Sequence, residues 1–452
     1  MNLLVILLFI SVFATEFLAK QLKLIHPYFI LVPEMLSAIA VLVIVCYLMA
    51  GKRWTLDWRY GLFFALYIFV IAFGFLVQDV PSGAVVAGMR SYLKFIPFFL
   101  LPAIYPFTAR QLKTQLIVLL TILAVQSPLA VYQRFVQFAH KMHTGDPIVG
   151  MTTASGVLTT LMMCAVVVVV ALYLRRKLSF PVMLAAVAVF CLPATINETK
   201  VTVVMLPIAV LLPAFFMPRG SRSLRRLVPI AVVGSVAGLA FVSVYDRLIA
   251  NRADGHTIES FLFERGVDTY LYTGAADGEN VYIGRLDSIA MAFERLSKDP
   301  LALSFGLGAG NVSESFLPAF HGKYAAYYKR FGLDVTQVTS FLWEIGVVGV
   351  AAYLLFYFIV WQDARFLARR NEESAALGQV WATVVVIMGL ALFYNNIFSI
   401  NETGYLFWFY SGVVAASAGM LRRTTRRQRE RQPQRTAPSW AQPISRAAPT
   451  YR

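Results

Sequence analysis

Basic side chains that suit an anionic group stand at junctions between the apolar runs of this sequence. Arg90 and Lys94 are four residues apart at the start of one run, so they share a face of a helix. An arginine guanidinium meets two phosphate oxygens at once, so a group of such residues indicates a phosphate or diphosphate site. The alternative for any single residue is a contact with lipid headgroups. The candidates are Arg90, Lys94, Arg134, His140, Lys141, His143, Lys200, Arg265 and Arg285.

A short acidic motif occurs twice. The sequence INETK begins at Ile196, and INETG begins at Ile400. Asparagine can cap the helix that follows it, and a glutamate in the first turn suits the helix dipole. Capping alone is one interpretation, and a role for Glu198 and Glu402 at a functional site is the other.

The stretch from Arg285 to Gly310 predicts one amphipathic helix and a glycine turn. Its apolar residues recur at helical spacing, at Leu286, Ile289, Phe293 and Leu296. The helix should end at Asp299-Pro300, and the three glycines from Gly306 to Gly310 should allow a tight turn. Nothing resembling a nucleotide-binding motif follows. Because the helix is amphipathic, we expect it to lie across the mouth of a helix bundle.

The elements that position these residues are predicted to be membrane-spanning helices. The chain has 452 residues, 58% of them hydrophobic and only 14% charged, with a mean hydropathy of +0.66. Runs of about 20 apolar residues are long enough to cross a bilayer. About twelve such runs are visible: 3–18, 28–50, 60–78, 92–107, 114–133, 150–174, 179–196, 201–217, 227–249, 338–361, 375–395 and 402–421.

The orientation follows from the lysines and arginines of the short loops, which favour the cytoplasmic side. Every second loop is basic, which places both termini in the cytoplasm and the long segment 250–337 outside. From Asn251 to Gln337 there are 8 basic and 11 acidic residues, so this segment has a net charge of −3 (8 − 11). The candidate cations at Arg90, Arg134, Lys200 and Arg285 then fall on the same outer side.

The sequence therefore divides into four parts. Spans one to nine occupy 1–249, an outer loop domain occupies 250–337, spans ten to twelve occupy 338–421, and a basic, disordered tail occupies 422–452. The tail has nine arginines and one glutamate. Its charge suits anionic lipid or nucleic acid, but topology anchoring is the simpler interpretation, and no nucleic-acid partner is expected. The three cysteines fall inside apolar runs, so neither a disulfide nor a metal site is expected.

Three segments together resemble a known superfamily. They are GRLDSIAMAFERLSKDPLALSFGLGAGN from Gly284, SFLWEIGVVGV from Ser340, and LAVYQRF from Leu129. An arginine that opens an amphipathic helix, a Pro-Leu pair, a G-x-G turn and a later Glu-x-Gly-x-x-Gly resemble the O-antigen ligase and Wzy-type polysaccharide polymerase superfamily. The likeness covers the architecture of most of the chain, and its motifs lie between Arg285 and Gly349.

The resemblance implies an all-α polytopic membrane protein of the GT-C-like kind with about twelve transmembrane helices and a periplasmic loop domain. It also implies a glycosyltransferase in the bacterial inner membrane that uses undecaprenyl-pyrophosphate-linked glycans, without a cofactor or a metal. A polymerase extends a lipid-linked chain, whereas a ligase transfers the chain to lipid A-core. In either reaction, arginines would stabilise the pyrophosphate leaving group, and a carboxylate or histidine would take the proton of the acceptor hydroxyl.

Residue roles carried over from the resemblance centre on Arg285. We expect Arg285, Glu344 and Glu198 to be catalytic, with Glu402, His140 and His143 as further candidates for the proton acceptor. The expected pyrophosphate ligands are Arg90, Lys94, Arg134, Lys200, Arg265 and Arg285. The helix that begins at Arg285 would then act as a lid.

One departure from the superfamily pattern favours a polymerase. Ligases usually have a His-Asn pair about nine residues before the glutamate of Glu-x-Gly-x-x-Gly, and here Val335 and Thr336 stand at those positions. His321 has the wrong spacing, and Lys200 replaces the arginine expected near the seventh span. A ligase is the first alternative, a flippase for lipid-linked oligosaccharides the second, and a membrane scaffold the third. Expected partners are membrane lipids and the lipid-linked glycan, with a chain-length regulator or a flippase as candidate protein partners.

Overall fold

A computed structural model describes most of the chain as a bundle of α-helices. It describes residues 1–139, 145–217, 224–249, 257–264, 266–272, 283–315, 318–328, 333–370 and 374–431, and these ranges contain no β-strand. The expectation of an all-α fold is therefore confirmed. The candidate residues His140, Lys141, His143 and Arg265 lie outside the described ranges.

The long and short helices follow the apolar runs. In chain order they are α1 (Asn2–Glu16), α2 (Val32–Met49), α3 (Trp58–Val77), α4 (Ser82–Leu93), α5 (Ile96–Ile104), α6 (Ala109–Tyr132), α7 (Ser155–Leu174), α8 (Phe180–Ile196), α9 (Thr202–Phe215), α10 (Leu224–Ile249), α11 (Ile258–Phe263), α12 (Gly266–Leu271), α13 (Arg285–Leu296), α14 (Pro300–Phe305), α15 (Ala325–Tyr328), α16 (Gln337–Ala368), α17 (Ser374–Tyr394) and α18 (Asn401–Arg431). A π-helical turn extends α1 to Gln21, and another extends α6 to Gln137.

Nine helices in the described ranges are long and apolar enough to cross a membrane. The pair α4 and α5 would add one more crossing if it acts as a single span bent by 43°. The helices α8 and α9 are apolar but shorter. Each of the twelve predicted runs thus contains a helix, and nine or ten of these helices have the length of a full span.

Side-chain caps and prolines explain several helix ends. Thr108 and Gln111 form a capping box at the start of α6, and Asp57 accepts a hydrogen bond from the Arg59 N–H at the start of α3. Asp299 accepts from the Leu301 N–H, with Pro300 as the first residue of α14. Because proline needs no intrahelical donor at that position, the predicted break at Asp299-Pro300 starts a second helix rather than a loop.

The two ends of the bundle are built from different segments of the chain. We call one of them the loop end; the segments that meet there are 17–31, 145–154, 283–315 and 395–400. At the opposite end, Arg423 donates to the carbonyls of Trp54 and Leu56. The last helix continues to Arg431, which is ten residues past the predicted end of the span, so residues 422–431 of the predicted disordered tail are helical.

The amphipathic helix α13 exists as predicted, but only Ile289 and Leu296 of its predicted apolar stripe pack on the bundle. Leu286 and Phe293 remain 41% and 51% exposed, whereas Ser288, Ala292 and Leu296 are buried. The Ser288 hydroxyl lies 2.9 Å from the Thr339 hydroxyl of α16. The small side chains of Ser288 and Ala292 let α13 approach α16 closely, and this close packing leaves Leu286 and Phe293 exposed.

Candidate functional site

A cavity of about 550 Å³ opens at the loop end, which is a typical volume for a small-molecule site. Its wall is rich in aromatic and charged side chains. The aromatic residues are Tyr67, Tyr92, Phe95, Phe341, Trp343, Tyr353, Phe398 and Trp408. The charged residues are Glu16, Lys20, Arg90, Lys94, Glu314, Asp334 and Glu344. The structure thus brings three residues that were predicted from the sequence, Arg90, Lys94 and Glu344, to one cavity.

Arg90 and Lys94 are already paired with an acid. The Arg90 guanidinium donates from Nε and Nη2 to the two oxygens of Glu34, each at 2.7 Å. The Lys94 ammonium donates to Asn401 Oδ1 at 2.7 Å and lies 3.7 Å from Glu34 Oε1. The one carboxylate of Glu34 offsets half of the charge of these two cations, so a charge of +1 (2 − 1) is left in this group for an anion. Sequence analysis missed Glu34, although a lone acid inside an apolar run is a signal for such a role.

Glu344 joins the two glycine motifs. Helix α16 breaks at Gly346, whose φ is +65°, so the preceding turn loses its helical hydrogen-bond partners. The N–H groups of Leu307 and Gly308 donate instead to the carbonyls of Trp343 and Glu344, at 2.8 and 3.1 Å. A Cβ on Gly306, where φ is +75°, would lie 2.3 Å from the Glu344 carbonyl carbon. Only glycine fits this contact, which explains why the G-x-G turn and Glu-x-Gly accompany each other.

The side chain of Glu344 is held by the same loop. The Ser313 N–H donates to Glu344 Oε1 at 3.0 Å, and the Ser313 hydroxyl makes a short hydrogen bond to the same oxygen. The Tyr92 hydroxyl and the Gly310 N–H also interact with this carboxylate. A carboxylate with so many donors anchors the loop on α16, and its lone pairs are largely occupied.

A second group of cations lies beside the cavity. We call it the loop cluster; its members are Arg134, Glu198, Lys200 and Arg285 together with Tyr270 and Tyr394. Arg134 and Glu198 form a buried ion pair at 2.7 Å. The Arg285 guanidinium carbon lies 3.6 Å from the ring centre of Tyr270 and 4.9 Å from that of Tyr394, and Nε donates to the Tyr394 carbonyl at 2.9 Å. Stacking between two rings fixes the plane of the guanidinium.

Lys200 completes the loop cluster. Its ammonium lies 4.3 Å from the ring centre of Phe261. Burial lowers the pKa of Lys200, and the charge of Arg285 lowers it further, whereas Asp146 and Glu198 raise it. The Lys200 amine therefore gains its proton less readily than that of an exposed lysine. An anion that binds beside it stabilises the protonated form.

One loop connects the cavity and the loop cluster. Tyr394 packs on Arg285, while Asn396 and Phe398 of the same segment line the cavity. Gln337 holds this segment, since its N–H donates to the Asn395 carbonyl at 3.2 Å and its Oε1 accepts from the Phe398 N–H at 2.6 Å. The two regions are therefore neighbours with different character, and not the single cation-lined pocket expected from the sequence.

The repeated Asn-Glu-Thr motif adopts two different structures. Asn197 accepts from the Thr199 N–H at 3.2 Å, which forms a local turn, and Glu198 has a φ of +59°. Asn401 begins α18, and the fully buried Glu402 in its first turn has no hydrogen-bond partner in another described residue. Neither asparagine caps a helix through its side chain, but Glu402 does lie in a first helical turn, as the capping interpretation expected.

No protein-family model and no curated protein sequence matches this chain. The function of this protein is therefore inferred from the geometry of its loop end and from the resemblance of its motifs.

Proposed function

We propose that this protein is a membrane polysaccharide polymerase that transfers a growing glycan from undecaprenyl pyrophosphate to an incoming lipid-linked repeat unit. The observation that carries the proposal is the placement of a stacked, cationic cluster directly beside an aromatic, acidic cavity. A glycosyl transfer needs these two environments next to each other, one for an anionic leaving group and one for a carbohydrate acceptor.

In this proposal the twelve apolar helical runs cross the bacterial inner membrane, and both termini are cytoplasmic. Nine long helices, the bent pair and the two shorter helices supply twelve crossings. Arginines at the opposite end, such as Arg175, Arg369 and Arg423, agree with a cytoplasmic position for that end. The loop end then faces the periplasm.

The loop cluster binds the pyrophosphate of the donor. Arg285 presents a guanidinium of fixed orientation, and Lys200 adds a second cation whose proton affinity rises when an anion approaches. Arg134 is less available, because Glu198 holds it in a buried ion pair. As the bond to the sugar breaks, negative charge grows on the pyrophosphate, and preorganised cations stabilise that charge more than they stabilise the ground state.

The cavity binds the acceptor sugar. Aromatic rings offer apolar faces to the C–H groups of a sugar, while the carboxylates accept hydrogen bonds from its hydroxyls. The buried Asn396 Oδ1 in the cavity wall has no hydrogen-bond partner in the described ranges, which leaves an acceptor for a further hydroxyl. In the transfer, an acceptor hydroxyl oxygen bonds to the anomeric carbon, the bond from that carbon to the pyrophosphate oxygen breaks, and a carboxylate takes the hydroxyl proton.

A reconstituted assay tests this function. The substrate is the lipid-linked repeat unit that accumulates in a strain lacking this gene, and the purified protein should convert it into a ladder of longer lipid-linked glycans. Transfer to added lipid A-core without a ladder would indicate a ligase instead. Movement of the lipid between leaflets without a longer glycan would indicate a flippase, and no effect at all would leave only a scaffold.

A labelling experiment tests the orientation. Ser313 lies on the loop-end segment, and the native cysteines Cys46, Cys164 and Cys191 are replaced first to give a background without thiols. Ser313→Cys should then react with a membrane-impermeant thiol reagent added to the periplasmic side of intact cells. Reaction only in inverted vesicles would place the loop end in the cytoplasm and contradict the proposal.

A further inference from the structure

Glu402 is the least compensated acid in the described part of the chain. It is fully buried, and neither carboxylate oxygen has a hydrogen-bond partner in another described residue; only its own backbone N–H acts as a donor to it. Leaving a buried carboxylate without partners costs several kcal/mol, so such a group calls for an explanation beyond folding. The nearest charged groups that act on it are Glu16, Lys20 and Lys94.

Glu16 connects this buried acid to the cavity. It lies at the end of α1, which packs against α18, and it lines the cavity wall. Its Oε2 accepts from the Lys20 ammonium at 2.8 Å, while its Oε1 makes no hydrogen bond in the described ranges. The cavity wall therefore contains one largely buried carboxylate oxygen with free lone pairs, and Glu402 lies on the helix packed against α1, where the charge of Glu16 acts on it.

The other acids of the cavity are less suited to accept a proton. Glu344 Oε1 is occupied by the Ser313 N–H and hydroxyl. Glu34 binds Arg90 through both oxygens and does not line the cavity. Asp334 and Glu314 line the cavity but are exposed to solvent, which competes for their lone pairs. Only Glu16 combines a place in the wall, near-complete burial and a free oxygen.

We propose that Glu16 is the catalytic base of the transfer and that Glu402 is its positioning residue. This inference rests on the proposed glycosyl transfer. The acceptor hydroxyl gives its proton to Glu16 Oε1, its oxygen bonds to the anomeric carbon, and the bond from that carbon to the pyrophosphate breaks with its electron pair on the leaving oxygen. Two acids in one poorly solvated place hold a proton between them more readily than either would in water, which favours uptake of the acceptor proton by Glu16. The proton leaves to water after the product departs.

The ionisable groups that surround the pair come from several of the elements packed against it. They are Glu34 on α2, Arg90 on α4, Lys94 at the break before α5, Lys20 after α1, and Tyr405 on α18. Lys20 balances the charge of Glu16, and Arg90 balances that of Glu34, while Lys94 lies 3.7 Å from Glu34 and also acts on Glu402. Within the described ranges, Glu402 is the one acid of this group without an ion pair or a hydrogen bond to another residue.

Steady-state rates of ladder formation by the full-length protein in lipid nanodiscs test the assignment. Glu16→Gln should lower kcat by at least about 100-fold, within the range for loss of a general base, with KM within threefold of wild type. Glu402→Gln should lower kcat by about tenfold at unchanged KM, and Glu402→Asp should restore most of that loss. The control is Glu294→Gln, which removes an exposed carboxyl on α13 and should leave both constants unchanged.

Formate provides a readout that a purely structural role would not affect. Glu16→Ala leaves space in the cavity wall for a small carboxylate, so added formate should restore part of kcat in this variant and none in Arg285→Ala. A wild-type rate for Glu16→Gln, or no rescue of Glu16→Ala, would overturn the assignment while the wild-type ladder still supports the polymerase. If Glu16→Gln does not fold, Glu16→Asp serves instead, because it keeps the ion pair with a shorter reach and should also lower kcat selectively.

Discussion

Two buried carboxylates, one at each end of the bundle, differ in their partners. At the opposite end, Asp363 of α16 is bound by Arg59 of α3, by Arg422 of α18 and by the Tyr60 hydroxyl. At the loop end, Glu402 has no hydrogen-bond partner in another described residue. Arg59 and Arg422 also share Asp57.

This difference separates stability from function. A buried acid on one helix with partners on two others ties the three helices together, and its charge is compensated in the resting protein. A buried acid without partners beside a cavity is costly to keep, and the cost is explained if the group acts during a reaction. Substitutions at the opposite end should therefore affect folding, and those at the loop end should affect the reaction rate.

The largest expected effect is on stability at the opposite end. Asp363→Asn leaves Arg59 and Arg422 with only Asp57 as an acid, and we expect the free energy of unfolding to fall by about 3 kcal/mol. Unfolding by sodium dodecyl sulfate in mixed micelles measures this change. The rate of glycan transfer per folded molecule should stay at the wild-type value. A variant of normal stability with a slow transfer rate would reverse the roles assigned to the two ends.

The next effect concerns the loop cluster. Arg285→Ala removes the stacked guanidinium, and we expect transfer to fall by about 100-fold, equivalent to about 2.7 kcal/mol of transition-state stabilisation. Expression and the unfolding midpoint should not change. Arg285→Lys keeps the charge but loses the fork and the stacking on Tyr270, so it should recover only part of the rate. Full activity of the alanine variant would exclude this residue from the mechanism.

A smaller effect is expected where the loop rests on α16. Gly306→Ala places a methyl group against the Glu344 carbonyl at a φ of +75°, and the strain should cost about 2 kcal/mol. Because the turn carries Ser313, both stability and transfer rate should decrease. Gly61→Ala is the matched control, since a methyl group there meets no atom within 4 Å. Equal behaviour of the two alanine variants would contradict the close contact.

The smallest effect is a pH dependence. Burial holds the pKa of Lys200 below its ordinary value of 10.5, so the ammonium is present below that lowered pKa and is lost as pH rises through it. Binding of undecaprenyl pyrophosphate should therefore weaken several-fold at a pH where an ordinary lysine is still charged. Lys200→Arg should keep its affinity over the same range, because a guanidinium stays protonated. Identical pH profiles for the two proteins would remove Lys200 from the site.

Several features of the fold could be predicted from local sequence. Each apolar run contains a helix because the run alone provides the side chains that a membrane-spanning helix needs. The start of α13 at Arg285 and the glycine turn from Gly306 also follow from local patterns. The stripe on α13 was right for Ile289 and Leu296 and wrong for Leu286 and Phe293, because small residues such as Ser288 and Ala292 let the backbone approach α16 closely.

The candidate site was harder to predict, since ionic partners lie far apart in the chain. Arg90 and Glu34 are 56 residues apart, and Lys94 and Asn401 are 307 apart. The cations and Glu198 could therefore be found from the sequence, but Glu34, which compensates Arg90, could not. Glu16 was hidden in the first apolar run, where a single charged residue hardly changes the hydropathy.

By itself, the sequence determined the helical class of this protein, the positions of its apolar runs and the charged residues available for chemistry, because these depend on composition and short-range periodicity. The tertiary structure decided which charges are neutralised, which residues of α13 pack on the bundle, and that Glu402 is buried without a hydrogen bond to another described residue. These outcomes depend on contacts between distant segments, and the free energy of a buried charge is set by the groups that surround it in space.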